Sequence, residues 1–465
     1  MKKMIMLLVF MVFVSFPIAS YAETTTTVET TVEYDRMFKE VMDYVRGTYI
    51  KGDELTEQQL FEAAMKGMFG ELDVYSEFMT PAEGAEFTES LNATYVGIGV
   101  QLTTVGEYIG ISKVFKGSPA LAAGVKKGDY FVSVDGVSVK GFSTEELLKL
   151  VLGEEGTTVK ITFGRGGTTY AVDIIRTLIK IPTVETLKIS DLYKGLKAED
   201  ENQIAYISLS SFSQKTDIEF KDAIGVAQST GAKYLILDMR NNGGGYVSTA
   251  VNIAQSIVPE GPIVRFVDAS GAEVVHSSTA KSVPFEIVVL VNEYSASATE
   301  FVTAAIQDSK AGTVVGETTY GKGVAQYFAG YEQGYIIKLT MEEFFSRNNN
   351  KINEVGVKPD YFIEIPDYLM GETKYYLHDE VDNVIQVEKV LNFLGYNVGT
   401  PDKKYDRKTF NAVKKFQLDH GLYGYGGCDF STQAKLNEAM LKSIEANDPQ
   451  VHKAVSLILD KIHKN

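Results

Sequence analysis

The chain has 465 residues, 45% of them hydrophobic, with a formal net charge of −16 and a sequence pI near 5.0. That length gives room for more than one domain at ~100–200 residues each, and that charge argues against nucleic acid or an anionic membrane surface as partner. The single cysteine, Cys428, excludes an internal disulfide and reads as a small buried hydrophobe; with five histidines in all, no metal site and no cofactor is expected.

Residues 1–22 read as a signal peptide. Lys2 and Lys3 precede the apolar run Met4 to Phe16, and Ser20-Tyr21-Ala22 places small residues for cleavage after Ala22. The run is shorter than the ~20 residues of a spanning helix, which favours removal over an uncleaved membrane anchor. The threonine-rich stretch Glu23 to Val32 then reads as a tether within a linker and N-terminal helical region, 23–92. Met37, Val41, Tyr44 and Val45 recur at helical spacing, as do Leu60, Ala64, Met68 and Leu72 after a break at Gly52-Asp53. From 93 to 176 the pattern becomes β-rich: Val96-Gly97-Ile98-Gly99-Val100 leads into alternating residues. A strand at Tyr130 to Val134, a helix at Thr144 to Leu152 and a strand at Thr157 to Phe163 follow.

Strands alternate with helices across 177–370: Ile204 to Leu209, Asp217 to Gln228, Tyr234 to Asp238, Val247 to Ile257. This predicts an α/β core with helices flanking a sheet. Within it the apolar run Ile287 to Val291 gives way to Tyr294-Ser295-Ala296-Ser297-Ala298-Thr299-Glu300. A strand turning into a helix exposes one hydroxyl where unpaired N–H groups and the helix dipole can hold an oxyanion. A serine there needs a base, and only His276 precedes residue 370 among the histidines; it sits on what reads as a surface hairpin strand. Lysine can serve instead when burial lowers its pKa, and Lys322, flanked by Gly321 and Gly323, is the candidate. Asp238, Asp308 and Glu300 read as structural, Asp238 holding the Gly243-Gly244-Gly245 turn through Arg240 or backbone hydrogen bonds.

Residues 380–441 form a small helical unit, with periodicity over Val384 to Tyr396 and again over Asp406 to Gln417, and 442–465 a C-terminal helical tail.

Several stretches, in order, resemble the carboxy-terminal processing peptidases, exported tail-specific proteases with a Ser/Lys dyad: Gly67 to Met79, Leu237 to Gly245, Ser295 to Glu300, Gly316 to Gln326, and Gly356-Val357-Lys358-Pro359-Asp360. The resemblance spans about 35 to 365. It implies Ser297 as nucleophile, Lys322 as general base and Gln326 as the glutamine that orients the lysine. Gly244 and Ala298 fall at the oxyanion N–H donors, with Gly245 the alternative if the turn is shifted by one. Two positions depart from the family: Gly243 stands where proline is common, and Thr299 where serine is. Segment 93–176 resembles a PDZ domain, which adds a peptide strand to its sheet edge and captures the terminal carboxylate with turn N–H groups. Gly97, Ile98, Gly99 and Val100 are the implied peptide-binding residues, and Arg165, with Arg176 as the other choice, the candidate arginine coupling this module to the site. Segment 380–441 resembles a peptidoglycan-binding module. Family N-terminal helices build a dimer, so a homodimer is implied.

The expected architecture is therefore multi-domain α/β: N-terminal helices, an α/β protease core with an inserted β-rich PDZ domain, and a small helical C-terminal domain. The expected function is an exported, wall-associated serine endopeptidase that binds protein or peptide C-termini, with peptidoglycan as a further candidate partner, and cleaves protein substrates near their C-termini. The alternatives are a non-catalytic PDZ scaffold and, more weakly, a peptidoglycan hydrolase.

Overall fold

The computed structural model describes residues 29–464, so the expected signal peptide and the expected cleavage site after Ala22 lie outside the described residues. The chain opens with a helix, Glu29–Thr48, which begins inside the stretch expected to be a tether. No glycine or proline interrupts Glu29 to Arg46, so the amphipathic helix propagates backwards through the threonines. The expected break comes as a short 3₁₀ turn at Gly52–Glu54, and Thr56 and Thr80 then start the helices Glu57–Gly70 and Pro81–Leu91 with reciprocal caps to Gln59 and Glu83. Among the described residues no helix is long and apolar enough to cross a membrane.

The core is a six-stranded sheet in the order Val184–Leu187, Ile204–Leu209, Tyr234–Asp238, Glu286–Val291, Gly312–Gly316, Tyr361–Phe362. All neighbours are parallel except the first pair. Successive side chains of these strands alternate between two hydrophobic layers. Leu235, Leu237, Ile287 and Val289 face the helices Thr216–Ser229, Val247–Ile257 and Ala298–Asp308. Ile236, Val288, Leu290 and Val315 face the last helix, Pro449–Ile462, through Val451, Ala454, Val455 and Ile458. Burial on both faces explains why these strands read as unbroken apolar runs.

The C-terminal helix is also tied to the core by charge. Arg240 donates to Asp238 (2.9 and 2.7 Å), to Asp448 at the start of the last helix (2.7 Å) and to Gln450 (3.0 Å). The three charged side chains are 16%, 11% and 13% exposed. Arg240→Ala leaves two poorly solvated carboxylates unpaired and should cost ~3–5 kcal/mol. Urea unfolding of the two proteins checks this, and a loss below ~1 kcal/mol would mean the helix is held by its apolar face alone.

A second, antiparallel sheet contains Glu77–Met79, Ile336–Ser346, Gly261–Asp268 and Glu273–Ser278, with Val324–Gly330 also paired to Ile336–Ser346. It brings the Asp73–Ser76 turn beside Gln326. A separate β-rich module has the strand order Val100–Val105, Tyr108–Val114, Tyr130–Val134, Thr158–Arg165, Thr168–Ile175, closed by the helix Thr144–Val151 over a core that includes Phe131, Leu147 and Phe163. The chain enters this module through Thr94–Gly97 and leaves through Thr177–Lys180; the two segments pair as an antiparallel ribbon. The helices Val384–Phe393, Arg407–Asp419 and Phe430–Ala446 pack around their own core, with Cys428 buried among them and its thiol pKa pushed up by that burial.

Candidate active site

Ser297 joins the end of strand Glu286–Val291 to helix Ala298–Asp308 with φ +58° and ψ −118°. A non-glycine residue at positive φ is held there only when its surroundings over-determine it. Here the neighbours do so. Ala296 donates its N–H to the Asn242 carbonyl (3.0 Å), Thr299 Oγ1 donates to the same carbonyl (2.9 Å), and Asn242 Nδ2 donates to Leu209 (2.8 Å). Gly244 lies directly against the serine: a Cβ there would fall 2.9 Å from Ser297 Cβ. The Ala298 N–H, at the helix N-terminus, has no acceptor among the described residues. The Gly244 N–H donates to Asn242 Oδ1 (2.9 Å), whereas the Gly245 N–H has no acceptor among the described residues.

Glu300, fully buried, fastens the serine turn to the lysine loop. One carboxylate oxygen accepts from Ser297 N–H (2.8 Å) and Lys322 N–H (2.8 Å); the other accepts from Thr319 Oγ1 (2.6 Å) and Gly321 N–H (2.7 Å). Glu354 N–H donates to the Gly321 carbonyl (2.7 Å), and Val357 N–H donates to Thr319 Oγ1 (2.7 Å). The Gly356-Val357 segment is therefore part of the support of the lysine loop. Gly323 is needed for close approach, since a Cβ there would lie 2.2 Å from Asn353 N.

The Lys322 side chain is 1% exposed, and burial pulls its pKa down from 10.5 to about 7, helped by the Lys338 charge and opposed by Glu300 and Asp73. Its Nζ lies 4.8 Å from the centroid of the Tyr75 ring. Ser297 Oγ and Lys322 Nζ share no hydrogen bond in this arrangement. Gln326, also 1% exposed, donates from Nε2 to Thr340 Oγ1 (3.0 Å), which in turn donates to Asp73 (3.1 Å). Gln326 Oε1 is the one buried side-chain polar atom without a partner among the described residues.

The remaining residues singled out in the sequence lie elsewhere. Gly97, Ile98 and Gly99 are buried at the start of the β-rich module, ahead of its edge strand Val100–Val105. Arg165 is engaged within that module by Asp129 (2.5 and 2.6 Å), Gly124 and Tyr170. Arg176 caps the carbonyls of Leu150 and Val151 (2.9 and 2.8 Å). His276, half-buried, stands edge-on to Phe266 on the outer strand of the antiparallel sheet. Sequence reasoning did not anticipate the part taken by Asp73 and Tyr75. The strand-like alternation of Lys338 to Phe344 was the available signal that this turn would find a sheet to dock on.

An α/β core with a serine turn, a buried lysine beside it and an inserted β-rich module defines a class: a hydrolase of the serine peptidase type. Comparisons with known proteins agree. The chain matches the model of peptidase family S41 over 203–363, of the PDZ domain over 96–175 and of the peptidoglycan binding domain over 380–436. It is 33% identical over 434 residues to the carboxy-terminal processing protease CtpA of Bacillus subtilis, covering 92% of this chain and 90% of that protein. It is 32% identical to a CtpA-like serine protease of Staphylococcus haemolyticus, covering 84% and 78%. Among solved structures, the photosystem II D1 C-terminal processing protease aligns at 27% identity with a TM-score of 0.44, covering 74% of this chain and 95% of that one. The chain belongs to the carboxy-terminal processing protease family within peptidase family S41, and is a serine-type enzyme of that family.

Proposed function

We propose that this enzyme cleaves exported protein substrates near their C-termini with Ser297 as nucleophile and Lys322 as general base. The observation that carries the reading is the buried Lys322 amine, held at about 7 in a loop bound through Glu300 to the Ser297 turn. A neutral amine can accept the Ser297 proton at physiological pH; a solvated lysine could not. Ser297 Oγ attacks the scissile carbonyl carbon while Lys322 Nζ takes the hydroxyl proton. The oxyanion is met by the Ala298 N–H and by a glycine-turn N–H. Gly245 suits the second place, because the Gly244 N–H is already donated to Asn242; Gly244 serves if the turn flips. Lys322 then protonates the leaving amine, and water releases the acyl-enzyme. Gln326 Oε1 is the acceptor that would draw Lys322 Nζ away from the Tyr75 ring into line with the serine.

The PDZ module binds the substrate terminus at Gly97 to Val100 on its open strand edge and, by occupancy, favours that closure. Export and retention near the wall follow from the basic-then-apolar first 22 residues and from the peptidoglycan binding domain match. Homodimer formation is supported by the exposed apolar stripe Met37, Val41 and Tyr44 on the first helix, and a full chain sedimenting as a monomer would remove it. Ser297→Ala should abolish cleavage of an unstructured protein, read on a gel, and leave binding of its C-terminal peptide intact. Surviving cleavage would show that another residue is the nucleophile.

A further inference from the structure

The Lys322 amine has two prospective partners and is held by a third group. No hydrogen bond reaches its Nζ among the described residues; the amine lies over the face of the Tyr75 ring, 4.8 Å from the centroid. The ring is fixed in that place by its own turn. Asp73 accepts from the N–H groups of Tyr75 (2.8 Å) and Ser76 (3.0 Å) and from the Ser76 hydroxyl (2.7 Å). Thr340, on the long strand Ile336–Ser346, then fastens the turn to the sheet: its N–H donates to Ser76 Oγ (3.0 Å) and its hydroxyl to Asp73 (3.1 Å). The same hydroxyl accepts from Gln326 Nε2 (3.0 Å), and Gln326 Oε1 is left without a partner. One threonine thus sets both the ring that holds the amine and the glutamine whose other amide atom is free to receive it.

Resting on the reading of Lys322 as the base, we propose that Tyr75 is a positioning residue for it: the ring face parks the protonated amine away from Ser297 and releases it once neutral. An aromatic quadrupole attracts an ammonium and has little hold on an uncharged amine, and the attraction is greatest where water is excluded. The Lys322 side chain is 1% exposed.

The charged groups around the amine leave a definite part for the ring. Glu300, from the helix after the serine, and Asp73, from the turn, favour the ammonium; Lys338, from the long strand and itself paired with Glu77 (2.7 Å), opposes it. The Tyr75 face adds to the ammonium's side without supplying a hydrogen bond that the neutral base could keep. At low pH the lysine therefore rests on the ring. Once deprotonated it can donate to Gln326 Oε1 and accept the Ser297 proton.

The test keeps the shape of the ring and changes only its charge distribution. In the full chain, Tyr75→Phe is compared with ring-fluorinated phenylalanines incorporated at position 75, each fluorine withdrawing charge from the face. Tyr75→Phe retains the face and should keep an acid limb of kcat/KM near that of the wild type. Along the fluorinated series the limb should step to lower pH by ~0.5–1.5 units in all, the protonation equivalent of a desolvated cation–ring contact. At pH 6, kcat/KM should accordingly rise ~3–30-fold relative to the same protein's value at pH 9. A ring that only fills space would leave the limb in place. A limb that stays fixed across the series, or that moves to higher pH, overturns the proposal. If Lys322→Met keeps its activity, the base is misassigned and the proposal falls with it; if Lys322 is essential and its limb ignores the fluorines, the part assigned to Tyr75 alone is lost.

Discussion

Lys322→Met is expected to lower turnover of an unstructured protein by ~10⁴-fold or more, the scale on which losing a nucleophile or its base acts. Methionine keeps the length and volume of the buried stem, so the loss reports the amine and not a cavity. The wild-type enzyme should show kcat/KM rising with pH through an acid limb near 7, because the proposed base, Lys322, can accept a proton only when uncharged and burial lowers its pKa to about 7. Stability carries the same signature. The folded pKa lies below the unfolded value of 10.5, so the unfolded chain binds the extra proton between about 7 and 10.5. Native stability therefore gains from this group as pH rises across that window, and the gain is fully lost below 7. Urea unfolding at pH 6.5 and pH 9 should show that slope in the wild type and a shallower one in Lys322→Met. Equal slopes would place the amine in solvent.

Glu300→Ala is the second large effect. It strands four donors, the N–H groups of Ser297, Gly321 and Lys322 and the Thr319 hydroxyl, in a site with no water-exposed alternative for the removed carboxylate. A loss of ~3–5 kcal/mol is expected by urea unfolding. Glu300→Gln separates fastening from bulk stability. The amide keeps one acceptor oxygen and turns an N–H₂ toward the donors the other oxygen served. The Ser297 and Lys322 loops should then lose their mutual register, with a fall in kcat of ~10–10²-fold and a smaller loss of stability. Full activity in Glu300→Gln would mean the two loops are placed by packing alone.

The parallel sheet and its helices were readable because both layers rest on period: buried runs such as Ile287 to Val291 and amphipathic helices such as Val247–Ile257 declare themselves locally. Ser297 and Lys322 stood out for the same local reason, one at a strand–helix turn and one between glycines. What stayed hidden is non-local. Glu300 reads as an ordinary first-turn carboxylate until the lysine loop is folded against it. Tyr75 reaches Lys322, and Asp73 reaches Gln326 through Thr340, only because Glu77–Met79 and Val324–Gly330 both pair with the long strand Ile336–Ser346, a register no single segment encodes. The last helix looked like a tail because its apolar face, Val451 to Ile458, carries no sign of which sheet it will cover.

The most direct test of the account is labelling by a serine-reactive fluorophosphonate, followed by peptide mass spectrometry and repeated across pH. The account predicts modification of Ser297 alone, at a rate that rises as pH passes about 7 and that disappears in Lys322→Met. Labelling at another residue, or at Ser297 with a rate indifferent to Lys322, would contradict it.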